Sequence, residues 1–347
     1  LSALVSFPAE PRKTREDGLA KLPVTFACGP YDRMEALHLG IVEPEGIDLR
    51  YIPNRSSPEI FARMAKTQSF DVSEMSLAHY IVSRIREDFP YVAIPVFPSR
   101  LFRHGYIFVN KGAGITGPKD LAGRRVGVQE YRQTAGVWVR GILAHEYGVD
   151  LGTIQWLEGG VNVPRKPDDV MDLRPIPEID LELIPSERTL NGMLASGEID
   201  AYFGARRPDT LVAGGNVARL FPDYRAEERA YYQKRRIHPI MHTVVIRKDV
   251  FDQEPWMAES LYKACEESKA WVLKEMRHSG AQRNMLPWMF DELAEMDELF
   301  GANPWPYGLE PNRHLLEAFV QYLAEQGFIA DTMAIEDLFV PIVSWSE

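Results

Sequence analysis

Four short apolar runs, Val24-Thr25-Phe26-Ala27, Leu49-Arg50-Tyr51-Ile52, Phe70-Asp71-Val72 and Val92-Ala93-Ile94-Pro95-Val96, alternate with stretches whose apolar residues recur at helical spacing. No other feature constrains the fold as strongly. Strands joined by helical crossovers run mainly parallel and carry helices on the faces of their sheet. The intervening helices are predicted over Tyr31 to Leu39 and Leu77 to about Ile85. Between them Ser57-Pro58-Glu59 reads as a helix start, with a serine N-cap, a proline in the first turn and a carboxylate suited to the dipole.

The pattern returns further along. Residues 60–76 give a helix, a turn and then Phe70-Asp71-Val72-Ser73-Glu74; residues 189–205 give a helix, Ser196-Gly197-Glu198 and then Ile199-Asp200-Ala201-Tyr202-Phe203. A chain of 347 residues also exceeds what one hydrophobic core usually supports. Two similar α/β lobes are therefore expected. Residues 1–21, with Pro8, Pro11 and several charges, read as an extended arm. Lobe I is expected over 22–105 and 243–347, and lobe II over 106–242. Tyr106-Ile107-Phe108-Val109 would carry the chain across, and Thr243-Val244-Val245-Ile246 would bring it back. Within lobe II, Arg125-Val126-Gly127-Val128 reads as a strand and Thr134 to Tyr147 as a helix. Residues 161–180, rich in proline and aspartate, read as a loop or hairpin, and Trp256 to Met276 as a long helix.

The formal net charge is -11, both signs are spread along the chain and no long basic run occurs, which argues against nucleic acid as the main partner. No apolar stretch approaches the ~18–20 residues needed to span a bilayer, so a membrane is not an expected partner. Cys28 and Cys265 lack metal-like spacing and read as small buried residues. Leu1 to Phe7 is short and has no preceding basic region, which makes a poor signal peptide, and a cytoplasmic location is expected.

Against this acidic background, three loops gather cations and imidazoles where strands should end: Gly29-Pro30-Tyr31-Asp32-Arg33, Arg100-Leu101-Phe102-Arg103-His104 and His238-Pro239-Ile240-Met241-His242. Open α/β sheets bind ligands beyond the carboxyl ends of their strands. Arg33 and Arg103 would offer planar, permanently charged forks to a carboxylate, and His104 a proton donor or acceptor near neutrality; surface arginines and a structural histidine are the plainer alternative. Ser73, Glu74 and Ser76 fall between a strand and a helix, where hydroxyls and free amides suit an anion and Ser76 suits an N-cap equally well. Beside an anion, Glu74 must be paired or protonated, and a raised pKa would make it a general acid. Pro239 argues that His238 and His242 lie on an extended segment, ~13 Å apart in a strand and so poorly placed to share a metal. In lobe II, Tyr131 and Thr134 precede or cap a helix, and Arg206 follows a strand. Gly112-Ala113-Gly114-Ile115-Thr116-Gly117 lacks the lysine of a phosphate loop, and no nucleophile elbow or dinucleotide fingerprint occurs. Trp305-Pro306-Tyr307-Gly308 reads as a rigid aromatic loop, either packing or covering an aromatic ligand.

From about Leu22 onward the chain resembles the 4,5-dihydroxyphthalate decarboxylase family, on the strength of Tyr31-Asp32-Arg33, Asp71-Val72-Ser73-Glu74-Met75-Ser76, Phe97 through His104 and His238 through His242. The resemblance implies an α/β fold of the type 2 periplasmic-binding-protein kind, two lobes joined by two crossover strands with a ligand cleft between them. It implies cofactor-independent decarboxylation of a small aromatic dicarboxylate, 4,5-dihydroxyphthalate giving 3,4-dihydroxybenzoate and CO2, with no metal; separately, a homo-oligomer is expected. Under that reading His104, or His238, forms the acid–base pair with Glu74, while Arg33, Asp32, Ser73, Ser76, Arg103, Tyr131, Thr134, Arg206 and His242 contact substrate. The alternative is a solute-binding protein that captures a small organic anion without chemistry. Such a protein has no use for several titratable groups in one pocket, and fold alone does not separate the two.

Overall fold

The computed structural model describes residues 20–86, 88–165, 179 and 181–342. The arm expected over residues 1–21, except its last two residues, and most of the 161–180 segment lie outside these. The strands are β1 (Leu22–Cys28), β2 (Ile47–Pro53), β3 (Val72–Ser76), β4 (Tyr91–Arg100), β5 (Ile107–Asn110) and β6 (Arg125–Val128). They continue with β7 (Gln155–Glu158), β8 (Leu181–Leu183), β9 (Ala201–Phe203), β10 (Val217–Arg219) and β11 (Ile240–Arg247). The helices begin with α1 (Glu35–His38), α2 (Ser57–Thr67), α3 (Leu77–Ser83), α4 (Thr134–Tyr147) and α5 (Leu190–Ser196). After them come α6 (Tyr224–Arg235), α7 (Lys248–Gln253), α8 (Met257–Met276), α9 (Met289–Phe300) and α10 (Arg313–Glu325). Among the described residues no helix is long and apolar enough to cross a membrane.

Two sheets result, in the orders β2-β1-β3-β11-β4 and β10-β5-β9-β6-β7-β8. β1 runs parallel to β2 and β3, and β6 parallel to β7 and β9. The exceptions have one cause. A chain that leaves the carboxyl end of one lobe's strands enters the other lobe at the same end and runs against its neighbours. β11 is thus antiparallel to β3 and β4, and β5 to β9 and β10. β11 begins at Ile240, so Ile240 and His242, expected in lobe II, pair with lobe I, Ile240 with Arg100 and His242 with both Ser76 and Ser99.

The lobes share packing. α4 hangs from the second sheet, yet its Trp138 is fully buried, stacks on Phe319 of α10 at 4.8 Å and donates its indole N–H to the Ile240 carbonyl at 2.8 Å. Gly141 lies where a Cβ would come within 2.1 Å of the Tyr322 ring, so glycine is what lets α4 and α10 approach this closely. Arg140, the residue before it, donates Nε to the side-chain Oε1 of Gln326 at 2.7 Å.

Candidate active site

The carboxyl ends of β1 and β3 converge on Glu74. In β3 the side chains of Val72, Glu74 and Ser76 alternate with Ser73 and Met75. All five residues are buried. The segment read as a loop is therefore the end of a strand, its polar residues held inside by partners. Opposite it, His242 pairs with Ser76 and Val244 with Glu74, which makes Glu74 and His242 diagonal neighbours on one face. Register shifts between β11 and β4 fall on both sides of His242, the kind of irregularity that re-aims a side chain.

Glu74 is fully buried and accepts four hydrogen bonds, each of 3.0 Å. The Gly29 amide and the Ser57 hydroxyl serve Oε1; the Tyr31 hydroxyl and His242 Nδ1 serve Oε2. Burial pushes this carboxyl up, but the hydrogen bond and charge of His242 together with the hydroxyls of Tyr31 and Ser57 outweigh it, and its pKa lies below the ordinary value. This overturns the expectation of a raised pKa. Glu74 is a carboxylate that fixes the His242 tautomer: Nδ1 carries the proton toward Glu74, which leaves Nε2 as the free basic atom. The side chain of His242 is 18% exposed, and Phe61 of α2 packs against its ring edge-on at 5.1 Å. Tyr31 folds back over Gly29, where a Cβ would come within 2.6 Å of its ring. Ser57 is spent on Glu74; the helix it begins has Ser56 at its N-cap position and no side-chain cap.

Next to this dyad, Arg33 lies between the rings of Tyr31 (4.3 Å) and Trp305 (4.1 Å) and donates Nε to the Pro98 carbonyl at 2.5 Å. Asp32 is exposed and pairs with Arg33 at 3.0 Å, supporting the turn from outside. Arg103 is buried, touches Met241 Sδ and leaves Nε and Nη1 without partners. Burial lowers its pKa to about 10, and none of its hydrogen-bond partners is a carboxylate. A buried guanidinium with open donors is prepared for an anion. On the lobe II side, the Thr134 hydroxyl meets the Ser76 hydroxyl at 2.8 Å and accepts the Ala78 amide, tying the two lobes at the site's edge. Ser76 also accepts the His79 amide as the N-cap of α3. Burial does raise Glu130, just beyond β6, where Glu158 also pushes it up against the pull of Arg165 and Arg132, and it raises Glu228 of α6 as well.

Other expected site residues stand elsewhere. His104 is buried among Tyr147, Phe221 and Tyr231, neither ring nitrogen has a hydrogen-bond partner, and burial holds its pKa to about 4. It is not a partner of Glu74, because aromatic packing rather than polar contact holds it. His238 stacks on Phe102 at 4.6 Å and packs against Trp305 and Phe300; it too bonds no atom of Glu74. Tyr131 belongs to the lobe II core, its ring between Trp156 and the Arg140 guanidinium 3.7 Å away. Arg206 is exposed, and its carbonyl receives the Tyr202 hydroxyl. Ser73 is buried with an unpartnered hydroxyl and alternates with Glu74, so it faces away from the dyad. Sequence reasoning missed Ser57 and Tyr31 as partners of Glu74; the Gly29-Pro30-Tyr31 turn was the available signal. Among the described residues no three histidine, cysteine or acidic side chains gather as a metal-ligand set.

Fold and site together define a two-lobed α/β protein of the periplasmic-binding kind, with a hydrogen-bonded Glu74–His242 pair at the strand ends. The aliphatic sulphonate-binding protein of Escherichia coli superimposes with a TM-score of 0.52 at 13% identity, covering 92% of this chain and 98% of that one. The alkanesulfonate-binding protein of Xanthomonas axonopodis pv. citri, bound to MOPS, does so with 0.52 at 10%, covering 92% and 99%. No family model matches the chain. Over 325 residues it is 38% identical to 4,5-dihydroxyphthalate decarboxylase of Comamonas testosteroni, covering 93% of this chain and 98% of the relative. The Pseudomonas putida enzyme of the same name is 36% identical over 214 residues, 61% of this chain and 82% of the relative. The chain belongs to the 4,5-dihydroxyphthalate decarboxylase family.

Proposed function

We propose that this protein is a carboxy-lyase that converts 4,5-dihydroxyphthalate to 3,4-dihydroxybenzoate and CO2, with the Glu74–His242 dyad as its acid–base group. The observation that carries the reading is the buried Glu74 carboxylate fixing His242 Nδ1 at 3.0 Å, an arrangement that serves proton transfer and that simple capture of an anion does not require. The relatives' names supply the substrate.

In this substrate each carboxylate has a hydroxyl para to it. Protonated His242, its charge balanced by Glu74, gives a proton from Nε2 to the ring carbon bearing one carboxylate. Positive charge then spreads to the para oxygen, whose lone pair or lost proton stabilises the dearomatised ring. The bond to the carboxylate breaks, its electron pair restores the aromatic ring, and neutral CO2 leaves. One proton is consumed, and His242 regains it from solvent. The proposal uses no metal or organic cofactor. Arg103, with two open donors, holds the carboxylate that stays, and Arg33, fixed by Tyr31 and Trp305, supplies further positive charge.

The test is turnover in heavy water. Purified protein given 4,5-dihydroxyphthalate should release CO2 and form 3,4-dihydroxybenzoate with one ring deuterium at the vacated carbon. Tight binding of the diacid without CO2 release would overturn the proposal in favour of a solute-binding protein.

A further inference from the structure

Arg100, at the end of β4, is 5% exposed, yet every acceptor it reaches is neutral. Nη1 donates to the His238 carbonyl at 3.1 Å, Nη2 donates to the Pro306 carbonyl and Asn312 Oδ1, and Nε has no partner. Buried charges are ordinarily paired. The counter-charge is missing, and there is room for it. Arg100 lines a cavity of about 170 Å³ whose wall also contains His238, Arg236, His314, Tyr232 and Phe300. No acidic residue is in that wall, although the whole chain carries a net charge of -11. None of Tyr31, Ser57, Glu74, Arg103, Thr134 or His242 lines it, so it is separate from the dyad.

We propose that this cavity is a second ligand site, built for a small planar aromatic carboxylate. The charged end of such a ligand would meet the Arg100 side chain, whose Nε has no partner, with His238, whose Nδ1 also has none, beside it in the same wall. The first turn of α10, through Asn312, His314 and Leu315, closes the same wall. The ring would lie among Tyr232, Phe300 and the His238 imidazole, which already pack on one another at 4.5 Å and 5.4 Å. A cavity of about 150 Å³ accepts one benzene ring, so the space admits a single-ring acid and little more. At the rim, Arg236 holds a left-handed conformation (φ 55°) at the end of α6, and its carbonyl receives His314 Nε2 at 2.8 Å. The Arg236 guanidinium lies 5.6 Å from the Tyr232 ring and adds a second cation to the wall.

The experiment is direct binding of benzoate, measured by calorimetry and by the fluorine NMR shift of 4-fluorobenzoate, without any turnover. It therefore succeeds or fails independently of the decarboxylase reading. Benzoate should bind the wild-type protein and, with similar affinity, the Arg103→Ala variant, which removes the carboxylate partner of the dyad site and does not touch this cavity. Arg236→Glu, an exposed change, should weaken binding by about tenfold or more by reversing a rim charge. Phe300→Leu should weaken it while leaving the thermal unfolding midpoint near that of the wild type. Loss of benzoate binding in Arg103→Ala with full retention in Arg236→Glu would place the ligand at the dyad and overturn the proposal. So would an absence of measurable binding at millimolar benzoate, and inorganic phosphate binding as tightly as benzoate would overturn the aromatic class.

Discussion

A buried carboxylate with four donors has little freedom to act as an acid, and the consequences at Glu74 are testable one side chain at a time. His242→Asn keeps an amide near Glu74 but removes the titrating atom. It should lower kcat by ~10²–10⁴ while substrate still binds, the size expected from lost general catalysis. Steady-state kinetics beside equilibrium binding checks this; an unchanged kcat would remove His242 from the chemistry. Arg103→Ala should act differently, weakening substrate binding by ~2–5 kcal/mol because a desolvated carboxylate loses its partner. The change should appear mainly in KM. His104→Phe provides the contrast. Its imidazole has only aromatic neighbours, so phenylalanine should fill the site with kcat within a few-fold of wild type. A thousand-fold loss there would return His104 to the catalytic role that its place beside Arg103 had suggested.

At the scale of the elements, most strands of the first lobe were legible from their apolar runs, whereas β7, β8 and β10, only three or four residues long, and the order of strands within each sheet were not. The helix read over Thr134 to Tyr147 is α4 itself, and the one read from Trp256 to Met276 begins one residue later, at Met257. β3 was harder. Ser73, Glu74 and Ser76 look like loop residues, and only tertiary partners such as Gly29, Ser57 and Thr134 make them a buried strand. The same limit governed the site. Sequence placed Glu74 beside an imidazole, but the diagonal pairing that selects His242 over His104 depends on a register no local pattern encodes. The contact between α4 and α10 was not legible either, since it joins residues of different lobes through a glycine that sequence offers no reason to single out. It makes a firm prediction. Gly141→Ala drives a methyl into Tyr322 and should cost ~1–3 kcal/mol as overpacking, while Trp138→Ala should cost ~3–5 kcal/mol through the cavity it leaves. Urea unfolding midpoints measure both, and a neutral Gly141→Ala would show that the helices slide apart freely.

Across the whole molecule, burial sets the response to acid. His79 and His104 are both held to a pKa of about 4 by burial, and His238 is pushed below its ordinary value as well. In the unfolded chain these rings bind protons from about pH 6.5 downward, whereas in the folded protein His79 and His104 resist until about pH 4. Stability is therefore full above pH 6.5 and is lost as pH falls from there toward 4, by up to about 3 kcal/mol for each of the two rings. Glu74, with its lowered pKa, adds a loss in the same direction at still lower pH. Thermal unfolding midpoints measured from pH 7.5 to pH 4 should fall, and His104→Phe should flatten the slope. A midpoint constant over that range would show that the imidazoles are hydrated. The position of β11 matters in time as well as in space. It lies between β3 and β4, yet β4 ends at Arg100 and β11 begins only at Ile240. A ribosome adding ~5–20 residues per second needs roughly 7–28 s to bridge that interval. Throughout it the facing edges of β3 and β4 stand open in the nascent chain, and unpaired edges are templates for other strands. Half-made copies of this protein on neighbouring ribosomes are thus exposed to one another through the seam that β11 later closes, and chaperone demand during synthesis should peak before residue 240 emerges.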